Sequence, residues 1–305
     1  EEVPDEASAE FQAALANFDW DACPECLDRE SEANHSAGIF ELDIPQKSTA
    51  KDAYSKIMNN IIEIDFSELK SFSSLDFNKE SLANTINYLS NKNKVLILAT
   101  SNRWEGGDYE PAKSTQLAQF VTKKLGSKAS FIDVSKLHIE TCEGNVSTNL
   151  GNRCGLKDAS LKDNEKNPSG NHRCWASINN QDDELWKISK ELFESDAVLF
   201  FTSVRWGQAN SVYQRLIERL TWIENRHTPL GEDNIVKNTD AGIIAIGQNW
   251  NGKNVINTES QVLKYFGFKT PNELAWNWQY TSNDLDESQE SYKAAVKSFD
   301  KTFLT

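Results

Sequence analysis

Short apolar runs alternate with amphipathic segments from residue 94 onwards, and this alternation constrains the fold more than any other feature. The runs at 94–100 (KVLILAT) and 197–202 (AVLFFT) are nearly continuous in apolar residues, as in strands that are buried on both faces. The segment after the first run places Leu117, Val121 and Leu125 at helical spacing. Strands that alternate with helices predict a parallel sheet with helices on both faces.

The pattern predicts five strands and the helices that connect them. Because crossovers between parallel strands are right-handed, few topologies remain, and we expect the strand order 2-1-3-4-5, with its switch point between the first and third strands. The predicted strands are 94–100, 129–134, 197–202, 241–247 and 272–278, and the predicted helices are 114–125, 181–194, 211–225, 254–266 and 288–303.

Residues 1–93 differ in character from the rest of the chain. They are acidic, and apolar residues recur at helical spacing over 7–19, 50–64 and 77–89 with few strand signals. We therefore predict a helical N-terminal extension over 1–93, partly packed on a domain formed by 94–305. Because the chain begins at Glu1 rather than Met, a processed N-terminus is one of the alternatives that the sequence allows.

Composition excludes several classes of protein. The formal net charge is −14, so the basic footprint of a nucleic-acid-binding protein is missing and an anionic membrane surface is disfavoured as a partner. No apolar run approaches the length of about 20 residues that a membrane helix needs. The five cysteines are an odd number in a long chain, which argues against a disulfide scaffold. We expect a reducing, cytoplasmic location, with neither nucleic acid nor a membrane as partner.

Polar, Gly- and Trp-containing segments follow the first, third and fourth predicted strands. Parallel strands bring such segments to one edge of the sheet, where open α/β sheets bind ligands. The first segment leads into a helix start whose N–H groups and dipole favour a phosphate, although an ordinary N-capped helix would look the same. GxxxxGK[ST], GxGxxG and GxSxG are all missing, which disfavours nucleotide triphosphatases and hydrolases.

Two motifs in these segments make the resemblance to a known family specific. The sequence TSVRWG at 202–207, followed by YQRLIER at 213–219, is similar to the TPVYWG segment and LKxLIDR helix of the flavodoxin-like NAD(P)H-dependent FMN reductase superfamily. Thr100-Ser101-Asn102 with Ser114-Thr115 resembles the phosphate loop of that family, lengthened here by an insertion over 104–112. The resemblance covers about residues 94–280.

The resemblance implies a flavodoxin-like three-layer α/β sandwich that binds FMN. NAD(P)H would reduce FMN, which would pass electrons to a small acceptor such as a quinone, and relatives commonly form homo-oligomers. The alternatives are a flavin-bearing electron carrier and a non-catalytic interaction module. The implied FMN contacts are Ser101, Asn102, Arg103, Ser114 and Thr115 at the phosphate, Ser203, Val204, Arg205, Trp206, Gly207 and Gln208 at the ring, and Gln248, Asn249 and Gly252 on the other side.

Arg205 and the cysteines depart from the family pattern. Arg205 stands where relatives often have an aromatic residue, and it would either stabilise the anionic reduced flavin or point to solvent. Some relatives carry a compact cysteine cluster for an iron–sulfur centre in the region of the long insertion, but the spacing here is wide. We expect no metal, and Cys23–Cys26 lacks a thioredoxin-type context. The candidates, were a metal bound, are Cys142, Cys154, Cys174 and His172.

Overall fold

A computed structural model describes residues 64–66, 69, 76–103, 111–145, 153–247 and 251–279. The predicted helices over 7–19 and 288–303, and all but the last residue of the one over 50–64, lie outside these residues. None of the helices in the described part of the chain combines the length and the hydropathy that a membrane span requires.

Strands and helices alternate through the described residues much as the sequence predicts. The strands are β1 (Val95–Ala99), β2 (Ala129–Asp133), β3 (Ala197–Arg205), β4 (Gln208–Ala209), β5 (Asp240–Ile246) and β6 (Ala275–Trp278). The helices are α1 (Asp76–Ser90), α2 (Lys113–Leu125), α3 (Trp175–Asn179), α4 (Leu185–Leu192), α5 (Ser211–His227) and α6 (Gly252–Tyr265).

The sheet has the order β2-β1-β3-β5-β6, and all of these neighbours run parallel. In the central register, Val95 of β1 lies opposite Ala129 of β2 and Ala197 of β3, which in turn lies opposite Asp240 of β5. β4 pairs only with β3, and without it the order is the predicted 2-1-3-4-5. The flavodoxin-like three-layer sandwich is therefore confirmed.

Two apolar clusters, one on each face of the sheet, form the core. Alternate residues of β1 face opposite ways, so Leu96 and Leu98 join the cluster under α4, α5 and α6, whereas Val95 and Ile97 join the cluster under α1 and α2. All residues of β1 and β5 are buried. This double burial is the physical reason why β1, and β5 after Asp240, have no polar side chains.

Helix α1 confirms the helix predicted over 77–89, and it packs into this core. Its residues Leu82, Ile86 and Leu89 are fully buried. The Thr85 hydroxyl donates to the carbonyl of Glu273 at 2.6 Å and accepts from the Trp276 indole nitrogen at 2.9 Å. These hydrogen bonds attach α1 to the edge strand β6 and to the segment that immediately precedes it.

The insertion between β2 and α4 is organised around a buried ion pair. Arg219 of α5 donates to both carboxylate oxygens of Asp183 at 2.6 and 3.0 Å, and both side chains are fully buried. The Asp183 carboxylate also accepts from the Leu185 N–H. The predicted helix over 181–194 consequently begins only at Leu185, and the short helix α3 before it was not predicted.

Candidate functional site

The ends of β1 and β3 are joined by one buried side chain, Asn210, which precedes α5. Its carbonyl oxygen accepts from the N–H groups of Val212 and Tyr213, both at 3.1 Å, and so caps the helix. Its amide nitrogen donates to the hydroxyls of Thr202 at 2.9 Å and Ser203 at 3.1 Å. Asn210 thus fixes the start of α5 against the end of β3.

The same amide reaches the predicted phosphate segment after β1. Asn210 Nδ2 lies 3.4 Å from Ser101 Oγ, and Ser101 Oγ accepts a hydrogen bond from the Ser114 hydroxyl. Ser101, Ser114 and Thr115 are all buried, whereas Asn102 is exposed and Arg103 is half-buried. The structure therefore brings the predicted phosphate residues to one place.

The start of α2 differs from the prediction in its cap. We expected Ser114 and Thr115 to cap this helix, but the N-cap residue is Ala112, and no side chain forms a capping hydrogen bond there. Ser114 and Thr115 are the second and third residues of the helix, in its first turn. The cap prediction was wrong, because the N-cap residue is an alanine, whose side chain cannot accept a hydrogen bond.

The segment Ser203–Gln208 is a β-hairpin and not the predicted loop. β3 continues to Arg205, which pairs antiparallel with Gln208 of β4. The two turn residues, Trp206 and Gly207, have φ angles of 49° and 72°, the left-handed backbone of a type I′ turn. Trp206 is 92% exposed at the tip. A large aromatic residue with a positive φ is unusual and marks this turn as a functional candidate.

The segment after β5 supports the hairpin from the other side. The Asn251 side chain donates from Nδ2 to the Gly207 carbonyl at 2.6 Å, and Asn251 itself is left-handed, with a φ of 56°. A Cβ atom at Gly247 would lie 2.8 Å from the Cβ of Val204, so only glycine fits between the two strand ends. Asn251 was missed by the sequence analysis, although Asn is the non-glycine residue that favours this backbone.

Other predicted contact residues are placed differently. Arg205 and Gln208 are exposed and Val204 is half-buried. Gly252 is buried as the first residue of α6, where an added Cβ would lie 3.1 Å from the Asn277 side-chain nitrogen. Gln248 and Asn249 lie outside the described residues. The segments after β1, β3 and β5 therefore meet, while Gly252 faces the protein interior.

A buried carboxyl group lies behind the hairpin, between α5 and α6. Glu259 accepts a hydrogen bond from the Gln214 side-chain nitrogen at 2.9 Å. Burial raises the pKa of Glu259 above its usual range, which favours the protonated carboxyl. Burial, followed by the charge of Glu259, also raises the pKa of the neighbouring Tyr213.

Only some of the candidate metal ligands lie close together. Cys154 and Cys174 are buried neighbours, whereas Cys142 is half-buried. His172 is buried and its Nδ1 lies 2.8 Å from the Ser189 hydroxyl. Within the part of the chain that the structure describes, no group of three or more His, Cys, Asp or Glu side chains could hold a metal ion. Cys23 and Cys26 lie outside that part.

No family model and no curated protein match the chain. Matching solved structures include RosB with the bound intermediate 8-demethyl-8-formylriboflavin-5'-phosphate, at 15% identity over 69% of this chain and 79% of that chain, with a TM-score of 0.42. They also include the Trp repressor binding protein from Bacillus subtilis, at 15% identity over 68% and 98% of the chains, with a TM-score of 0.36. An azoreductase from Bacillus anthracis matches at 13% identity over 70% and 99%, with a TM-score of 0.37.

Proposed function

We propose that the protein is an FMN-dependent oxidoreductase that passes electrons from NAD(P)H to a small acceptor such as a quinone. The observation that carries the proposal is the junction of three strand ends, where Asn210 links β1 to β3 and Asn251 links the β3 hairpin to the segment after β5. In a sheet of this order, the switch point between β1 and β3 is the expected ligand site. The motifs that resemble FMN reductases fall at this junction.

The start of α2 fits the phosphate of FMN. The helix has no capping side chain at Ala112, so its first N–H groups and its dipole favour an anion. The Ser114 hydroxyl donates to the Ser101 hydroxyl, which leaves the Ser101 proton to donate to a phosphate oxygen. Arg103 stands next to them and would supply a positive charge.

The hairpin fits the ring of FMN. The exposed indole of Trp206 offers a flat apolar surface for stacking, and the backbone of the Trp206–Gly207 turn offers hydrogen-bonding groups for the polar ring edge. The bound flavin would supply the hydride and electron transfer. The residues of this chain would position the ring and leave its open face accessible to NAD(P)H and the acceptor.

The phosphate half of the proposal is tested by comparing FMN with riboflavin, which lacks the phosphate. We expect FMN to bind more tightly than riboflavin, and we expect Arg103→Gln to weaken FMN binding about tenfold, the loss of one charge-assisted contact, without affecting riboflavin. Arg153→Gln, which changes an arginine in the insertion, serves as the matched control. Equal affinity for FMN and riboflavin would contradict the phosphate assignment.

The activity is tested by anaerobic addition of NADH or NADPH to the FMN-loaded protein. We expect the visible absorbance of the flavin to disappear and to return when a quinone is added. A protein that retains FMN but is not reduced by either nucleotide would be an electron carrier, which overturns the reductase proposal. A protein that does not retain FMN would overturn both assignments.

A further inference from the structure

The two buried cysteines of the insertion lie next to each other although 19 residues separate them in the sequence. Cys154 is 7% exposed and Cys174 is 4% exposed, and both side chains belong to the same buried cluster. The surrounding backbone holds them in place, because the Gly155 N–H donates to the carbonyl of Arg173 at 3.2 Å. The Cys154 carbonyl in turn accepts from the Asn225 side chain of α5 at 3.3 Å.

The two thiols have unlike surroundings. Arg219 Nη2 lies 3.4 Å from the Cys174 sulfur, which favours a thiolate there. The hydrogen bond from Cys154, together with Arg219, lowers the pKa of Cys174 to about 6 although burial opposes the shift. The same hydrogen bond and burial raise the pKa of Cys154. Cys174 is therefore the more acidic thiol of the pair.

We propose that Cys154 and Cys174 form a redox-modification site, a dithiol that hydrogen peroxide converts to an intramolecular disulfide. The juxtaposition of two thiols with a guanidinium beside one of them carries the proposal, and the proposal does not depend on flavin binding. Hydrogen peroxide is the appropriate oxidant class because both sulfurs are buried, which disfavours a bulky disulfide reagent.

The reaction balances in two steps. The Cys174 thiolate attacks one peroxide oxygen, so that an S–O bond forms, the O–O bond breaks and hydroxide leaves. The Cys154 sulfur then attacks the Cys174 sulfur, so that the S–S bond forms, the S–O bond breaks and the Cys154 proton departs with the oxygen as water. The two sulfurs together lose two electrons, and these reduce the peroxide.

The test is a peptide map of the wild-type full chain, reduced beforehand and then treated with hydrogen peroxide. Remaining thiols are alkylated, and the digest is analysed by mass spectrometry without reduction. We expect a peptide pair linked through Cys154 and Cys174, formed equally well in Cys142→Ser, which is the matched control. Free, alkylated Cys154 and Cys174 after peroxide has oxidised other cysteines would overturn the proposal.

A second measurement identifies which sulfur attacks the peroxide. In Cys154→Ser the sulfenic acid on Cys174 has no partner, and we expect a dimedone adduct at Cys174 when the peroxide-treated protein is unfolded in the presence of dimedone. In Cys174→Ser we expect at least about tenfold less adduct at Cys154, because that thiol lacks the contact with Arg219. Equal labelling of the two variants, or adducts at Cys154 alone, would refute the assigned order of attack.

Discussion

Replacing Trp206 by Asn should make the protein more stable. Trp206 has a φ of 49° at the first position of a type I′ turn, where a bulky L-residue costs about 1 kcal/mol and Asn is well tolerated. Its side chain is 92% exposed, so the substitution removes little packing. The variant has the favoured sequence Asn-Gly in the turn, and we expect its free energy of unfolding in urea to rise by about 1 kcal/mol.

The same substitution should weaken flavin binding. If the indole stacks on the FMN ring, its loss removes about 1–3 kcal/mol of binding, or roughly 5- to 150-fold in Kd, measured by titration of flavin fluorescence. Tyr265→Asn is the control, because Tyr265 is also an exposed aromatic residue, at 76%, but lies at the end of α6. Unchanged FMN affinity in Trp206→Asn, or a loss of stability, would refute the reasoning.

Three further substitutions test the framework of the site. Asn210→Ala should lower the free energy of unfolding in urea by about 2 kcal/mol, whereas Asn210→Asp, which keeps the capping oxygen, should lower it less. Asp183→Asn removes the carboxylate that pairs with the buried Arg219 and should cost about 3–5 kcal/mol in the same assay. Burial, with the charge of Arg219, lowers the pKa of His172 from 6.5 to about 3, so the unfolded chain binds this proton first. The free energy of unfolding of the wild type should therefore fall by about 2 kcal/mol between pH 7 and pH 5 through this imidazole. Urea titrations should show that this contribution is missing in His172→Gln. It should be retained in His138→Gln, the control at an exposed histidine.

The strands and their order could be predicted because strands that are buried on both faces have short, continuous apolar sequences. β1 is apolar throughout, and β5 is apolar after Asp240, since their side chains enter the two core clusters on opposite faces of the sheet. Helix α5 was predicted from 211 to 225 and extends to His227. The amphipathic spacing thus locates the helices well, and the errors fall at their ends, where caps and side-chain contacts decide the boundary.

The hairpin and the two bridging amides could not be predicted by the same reasoning. A type I′ turn is normally announced by Asn-Gly or Asp-Gly, and here Trp206 occupies the first position. β4 has two residues, too few for any periodicity. The contact of Asn251 with Gly207 spans 44 residues, and it exists only because parallel strands deliver both segments to the same edge. The pairing of Cys154 with Cys174 is likewise a tertiary contact that spacing alone did not reveal.

The strained turn persists because other strands hold it. A left-handed Trp is stable only where the surrounding structure determines its backbone more strongly than its own preference does. Here Asn251 binds the carbonyl of Gly207, and Val204 packs against Gly247, where no side chain would fit. The exposed indole is therefore presented from a hairpin that is fixed on two sides. A fixed aromatic surface loses less entropy when a flat ligand binds than a mobile one would, and this gives the retained strain a functional reason.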